Sequence, residues 1–277
     1  MTDAAASPPP PGSAMRTVER WRGGQRTQDL DHVAEEVPVA LFYNAHPFAV
    51  MMATPTDLED FALGFTLSEG IAAEPEEVDV EGVVELLEGI ELRIRLPAAR
   101  QRALARRRRN LSGRSGCGLC GNELLETSLR RPAVVAAGTP IAAEAVHLAL
   151  DALRQAQALN RLTGATHAAA WAEPGGRLLA VREDVGRHNA LDKLIGAMVR
   201  ARHDPRDGFA VVTSRASYEM AMKAASAGIG LLAAISAPTA LAISLAQATG
   251  LTLVGFARDG DHAVYSHPAR LLAARDR

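Results

Sequence analysis

The chain has 277 residues, enough for one large or two modest domains with a sizeable core. Its 30 basic and 32 acidic residues leave a net charge of -2, which excludes a global pull toward nucleic acid or membrane and makes any electrostatic preference local. The longest apolar run, residues 229–246, is broken by Ser236, Pro238, Thr239 and Ser244, so nothing reads as a membrane helix.

Residues 1–14 (MTDAAASPPPPGSA) lack the apolar content to order themselves and are expected to be a disordered tail. A small α+β N-terminal domain is expected over residues 15–110. Residues 39–43 and 48–54 flank Asn44-Ala45-His46-Pro47 and read as a hairpin. Thr56-Asp57-Leu58-Glu59 reads as a capping box; Leu58, Phe61, Ala62 and Phe65 then recur at helical spacing, which predicts a helix to Gly70. Ile90, Leu92, Ile94 and Leu96 alternate with Glu91, Arg93 and Arg95, as in a half-buried strand.

Seven arginines lie between Arg100 and Arg114 with no acidic residue among them. They read either as a solvated helix face or as a field that favours thiolate over thiol in a neighbouring cysteine. Directly after them, Gly116-Cys117-Gly118-Leu119-Cys120-Gly121 holds both cysteines of the chain among three glycines. Glycine density and lost periodicity predict a mobile loop and linker over residues 111–131. The pair admits four readings: a nucleophilic sulfur, a thioredoxin-like redox pair, half of a zinc knuckle, or a structural disulfide. A knuckle needs two more ligands, from histidine or a second subunit, since no second cysteine pair exists. A redox pair normally opens a helix directly after a strand, whereas Ser112, Gly113 and Ser115 make this approach irregular. A disulfide has one possible pairing, and the Ala/Pro-rich start carries no secretory pattern.

Residues 132–277 read as a second domain. Thr139-Pro140 is expected to start a long helix with Val146, Ala149, Leu153 and Ala156 on one face. Strands are expected near residues 168–172 and 177–182, about the turn Glu173-Pro174-Gly175-Gly176. Helices over 189–200, 217–227 and 239–249 then alternate with strands over 209–213, 231–235 and 251–256. This order implies an α/β domain of layered α/β/α architecture, with buried parallel strands, and it is the element order of the cytidine-deaminase-like fold. Zinc deaminases carry H-x-E and P-C-x-x-C at two helix starts. Here those starts read Gly186-Arg187-His188-Asn189-Ala190 and Thr213-Ser214-Arg215-Ala216-Ser217, without the cysteine pair or the glutamate. They can instead bind anions through free N–H groups, Arg187, Arg215, Ser214 and Ser217, or be ordinary N-caps. His188 alone reads equally as a core histidine, and Asp184 and Asp192 as surface or capping carboxylates.

These residues resemble a known family, the formate dehydrogenase accessory sulfurtransferases (FdhD), over nearly the whole chain after the tail. The resemblance rests on Met51-Met52-Ala53-Thr54-Pro55, the nine residues from Asp57 to Phe65, Cys117-Gly118-Leu119-Cys120-Gly121, the eleven from Glu183 to Lys193, Ser236-Ala237-Pro238-Thr239 and Gly255-Phe256-Ala257-Arg258. It implies a cytoplasmic homodimer that takes sulfur from a cysteine desulfurase as a persulfide on Cys117, with Cys120 as the second thiol. The sulfur passes to the molybdenum (or tungsten) bis(guanine dinucleotide) cofactor of formate dehydrogenase. The family's cofactor-binding segment falls on Phe256, Ala257, Arg258, Asp259, Gly260 and Asp261; Asp261 stands where a basic residue is expected in many relatives. His188, Asn189, Ser214 and Ser217 are expected to add contacts to the nucleotide phosphates, with no bound zinc. A CxxC disulfide oxidoreductase and a non-catalytic molybdenum cofactor-binding chaperone are the alternatives.

Overall fold

A computed structural model describes residues 9–112 and 132–273. The Cys117/Cys120 loop therefore lies outside the described residues, as do most of the expected linker and Arg114. Among the described residues no helix is long and apolar enough to cross a membrane.

The chain opens with an antiparallel ribbon, β1 (Ser13–Arg22) and β2 (Gln25–Ala34), turned by Gly23 and Gly24 at positive φ. Neither strand is apolar enough to be visible as one in the sequence. The ordered chain thus begins before the expected tail ends, because Ser13 already pairs with Ala34. β3 (Val37–Tyr43) and β4 (His46–Ala53) form the expected hairpin, but its turn is only Asn44 and Ala45, at φ 49° and 64°. Two left-handed residues in a row make the tight turn whose twist matches the strands, so His46 and Pro47 join β4.

Helix α1 (Leu58–Ser68) follows without the expected capping box. Asp57 sits at φ 52°, and no side chain caps the first turn. β5 (Asp79–Leu86) and β6 (Gly89–Arg95) complete a sheet of order β4-β3-β6-β5, in which β3 and β6 run parallel. Alternate residues Val39, Leu41, Tyr43, Ile90, Leu92 and Ile94 point to one face and bury Phe61, Ala62 and Phe65 of α1. The arginine-rich segment forms helix α2 (Ala98–Ser112).

In the second half, β7 (Ile141–Ala142) precedes α3 (Ala143–Ala156), whose Val146, Ala149 and Leu153 are buried as expected while Ala156 is exposed. Next come α4 (Ala158–Thr163), β8 (His167–Ala172), β9 (Leu178–Asp184), α5 (Arg187–Arg200), β10 (Phe209–Val212), α6 (Tyr218–Ser226), β11 (Leu231–Ala234) and α7 (Ala240–Thr249). The chain closes with β12 (Thr252–Arg258), β13 (Asp261–Ser266) and β14 (Leu271–Leu272). The main sheet has order β13-β12-β11-β10-β8-β9. β10, β11 and β12 are parallel, as their unbroken apolar runs suggest, but β8 and β13 are antiparallel to their neighbours. One face packs against α5, α6 and α7 and the other against α3, giving three layers.

The two halves are locked together where α1 crosses α5. A methyl group on Gly64 would overlap the Asp192 carbonyl oxygen, and one on Gly196 would overlap that of Asp60. Only glycines at both positions let the helix backbones approach this closely.

Candidate functional site

Two of the motifs that carry the resemblance meet across this junction. Asp184, at the end of β9, accepts from the Thr54 amide at 3.0 Å and pairs with Lys193 at 2.7 Å. Lys193 also donates to the Thr54 carbonyl at 2.9 Å, and the Thr54 hydroxyl oxygen accepts from the Val185 amide at 3.1 Å. The Asn189 amide group donates to the Met52 carbonyl at 2.8 Å and to Asp184 Oδ1 at 3.0 Å. Burial lowers the Lys193 pKa against the pull of Asp184. A second cluster lies further along α5. There the Lys223 ammonium donates to Asp192 at 2.9 Å, Glu69 at 2.8 Å and Ser68 Oγ at 3.1 Å, while Ser68 donates to Asp192 at 2.5 Å.

Burial works against the Lys223 ammonium, but Asp192 and Glu69 outweigh it and raise its pKa. Burial also raises the Asp192 pKa despite that ammonium, so the two shifts pull in opposite senses for the pair. The charged pair is the form we assign, because it satisfies every donor in the cluster. Asp184 and Asp192 are therefore neither surface nor capping groups; both are buried to within 1%. The sequence signal was present but unread. From Asn189 to Met198 every residue is buried, so charges set among Leu191, Leu194 and Ile195 had to find partners inside.

On the outer side of these clusters the carboxyl ends of β9, β10, β11 and β12 share one sheet edge. The turns after β10, β11 and β12 are stitched together: Ala216 bridges Pro238, Thr239 donates to the Ala216 carbonyl at 3.0 Å, and Phe256 donates to the Ser236 carbonyl at 3.2 Å. Ser217 caps α6 and Thr239 caps α7 through their side-chain oxygens, and Ser214 donates to the Arg215 carbonyl at 3.0 Å. α5 has no side-chain cap. At its start Arg187 Nε and His188 Nε2 are buried without a hydrogen-bond partner. His188 Nε2 lies 2.8 Å from Glu219 Oε2, yet the two are misaligned for a hydrogen bond. Burial lowers the His188 pKa, with Glu219 opposing and Arg187 assisting. His167, on β8 at the same edge, is likewise lowered by burial and then by Arg187.

The expected site residues are thus only partly assembled. His188, Ser214 and Ser217 stand with Arg187 and Phe256 at the helix starts, whereas the Asn189 side chain is spent inside the junction. A bulge between Gly255 and Arg258, with Phe256 at φ 52°, turns β12. Ala257 then packs on the α3 side, and Arg258 lines a cavity of about 250 Å³ against His147, Asp151 and Arg154 of α3. Asp259, Gly260 and Asp261 form the exposed tip.

Comparison with known proteins fits this frame. The FdhD/NarQ family profile matches residues 34–272. The chain belongs to the FdhD/NarQ family. It is 62% identical over 271 residues to the "Sulfur carrier protein FdhD" of Xanthomonas campestris pv. campestris (strain B100), covering 98% of this chain and 96% of that one. The protein of the same name from Bordetella petrii is 53% identical over 261 residues, covering 93% and 94%. A crystal structure from Desulfotalea psychrophila, described as a formate dehydrogenase accessory protein, superimposes with a TM-score of 0.74 at 26% identity. It covers 95% of this chain and 100% of that one. In this FdhD/NarQ chain the Thr54, Asp184 and Lys193 cluster forms a structural junction, and the unpaired Arg187 Nε lies beside it.

Proposed function

We propose that this chain is a sulfur carrier serving formate dehydrogenase, working in the cytoplasm as a homodimer. Cys117 takes sulfur from a cysteine desulfurase: its thiolate attacks the terminal sulfur of the donor persulfide, the donor S–S bond breaks, and the donor cysteine leaves as thiolate. A new persulfide on Cys117 results with no net redox change. The second half holds the recipient, the molybdenum bis(guanine dinucleotide) cofactor, by its nucleotide arms. The observation that carries this half is the orphaned donor at the uncapped start of α5, Arg187 Nε, beside His188, whose Nε2 faces Glu219. Buried donors without partners are rare in folded proteins, and at a helix N-terminus their fitting partner is an anion.

Residues 256–261 supply the second wall. Phe256 lies beside the turns, and Arg258 reaches a phosphate only on the α3 side of the β12 bulge. The order β9-β8-β10-β11-β12 between helical layers supports a cytidine-deaminase-like reading of this half. With Ala190 where a deaminase has its acid/base glutamate, deamination is not the chemistry proposed.

Intact-mass measurement after incubation with a cysteine desulfurase and cysteine should reveal one added sulfur that reductant removes. A Cys117→Ala protein that acquires as much labile sulfur would overturn the carrier assignment. Calorimetry with GDP, GMP and ADP tests the other half. Charge-assisted contacts contribute about 1.5–3 kcal/mol each, so Arg187→Ala should weaken GDP binding roughly ten- to a hundredfold. Arg258→Ala shows whether the nucleotide crosses the bulge. Equal affinity for ADP and GDP would mean the base is not read.

A further inference from the structure

β12 and β13 form the free-edge hairpin of the six-stranded sheet, closing where Arg258 pairs with Asp261. The connection holds Phe256 at φ 52°, which a bulky residue keeps only when its surroundings impose it, and then turns at Asp259 and Gly260, an ordinary left-handed pair for a tight hairpin. Those surroundings are thin on the α3 side, where the cavity behind Arg258 separates the hairpin tip from the helix. What spans the gap is a histidine pair. His147 Nε2 of α3 lies 3.0 Å from His262 Nδ1 of β13, with ring centroids 5.1 Å apart and the planes tilted by 48°.

Two neutral imidazoles facing each other share one N–H, which one ring donates and the other accepts. The bond survives a single protonation, since one ring nitrogen still accepts. When both rings are protonated, both facing nitrogens are donors and the bond is lost to like-charge repulsion. We propose that the His147 and His262 pair is a proton-operated clasp that holds residues 256–261 against α3 and releases them when both rings are charged. The proposal rests on the nucleotide-binding reading of that segment for its consequence, weaker nucleotide binding in acid, but not for the clasp itself.

The surrounding charges are mixed. α3 presents Glu144, Asp151 and Arg154, and the hairpin presents Arg258, Asp259, Asp261 and, further along β13, Tyr265. α7, which also packs near β13, carries no ionisable side chain. Burial lowers the His262 pKa, His147 lowers it further, and Asp261 opposes. The closed hairpin therefore binds fewer protons than the open one. Its closure is complete above the ordinary histidine range, near pH ~6.5, and is lost as pH falls below it.

Hydrogen–deuterium exchange on the full chain between about pH 5 and about pH 8 tests this, corrected for the pH dependence of intrinsic exchange. Peptides covering residues 253–266 report on the hairpin, and those covering β3 and β6 serve as the control for general unfolding. Protection of the hairpin should fall by up to about tenfold per pH unit below the histidine range while the control stays constant. His147→Ala should leave the hairpin poorly protected at every pH. His147→Gln, which keeps a hydrogen-bonding partner that cannot be charged, should restore protection and flatten its pH dependence. Wild-type protection that is flat with pH, or an acid loss in His147→Ala equal to that of the wild type, would overturn the clasp. GDP affinity is measured in parallel: a hairpin that opens in acid with unchanged affinity supports the clasp and removes the nucleotide reading.

Discussion

Lys223 is 5% exposed on its side chain and holds two carboxylates and a hydroxyl from three separate helix positions. Replacing it by methionine leaves Asp192 buried without its counter-ion, and breaking such a pair from one side costs about 3–5 kcal/mol. Denaturant unfolding of Lys223→Met should show a loss of that size, and the double variant Lys223→Met/Asp192→Leu should recover much of it. His188 adds a pH dependence of defined sign. Its folded pKa is lowered, chiefly by burial, so the unfolded chain binds more protons below the ordinary histidine value. Stability should then decline as pH falls below about 6.5, by at most about 1.4 kcal/mol per pH unit for this one group. Thermal denaturation of His188→Gln should display a correspondingly shallower acid decline. The residue identities in the motif around Asp184 and Lys193 were legible in the sequence, but their tasks were not. Whether a carboxylate is capped by water or by a lysine depends on what folds over it, and Thr54 arrives from 130 residues away in the chain.

Helices α1 and α5 cross at Gly64 and Gly196, and this closeness brings Asp60 to Arg182 and Arg200, and Ser68 to Asp192. Gly64→Ala gains about 1 kcal/mol of intrinsic helix propensity. Forcing a methyl against the Asp192 carbonyl instead costs about 1–3 kcal/mol in displaced backbone. We expect net destabilisation, measured by denaturant unfolding, and the same for Gly196→Ala. An unchanged or raised midpoint would mean that the crossing is loose. At this scale the sequence was most readable where periodicity was strong: α1, β6, and the alternation from β8 to β12 all lie within a few residues of expectation. It failed where backbone conformation overrode side-chain pattern. Asp57 has the identity of a capping residue but sits left-handed, and β1, β2 and β13 pair through their backbones with too few buried apolar residues to announce themselves.

For the molecule as a whole, the junction argues against independent domains despite the expected division near residues 111–131. The ion pairs of Asp184 with Lys193 and of Asp192 with Lys223 lie within the second half, but they are completed by Thr54, Ser68 and Glu69 of the first, and buried Asp60 of the first half pairs with Arg182 of the second, so neither half alone satisfies these groups. Calorimetry should therefore record one transition with equal calorimetric and van't Hoff enthalpies, and two resolved transitions would contradict it. We also expect no tightly bound zinc, because the helix starts that hold it in deaminases lack both cysteines and the glutamate here. Elemental analysis of protein purified without added metal checks this, and about one zinc per chain would point to the Cys117/Cys120 pair.

The glycine crossing and the ion clusters also make one covalent connection redundant. If an engineered protease site between residues 112 and 132 were cut, the two fragments should stay together as a single particle through size exclusion and part only in denaturant. That outcome would show that the contacts between the described halves, rather than the chain joining them, hold the protein together.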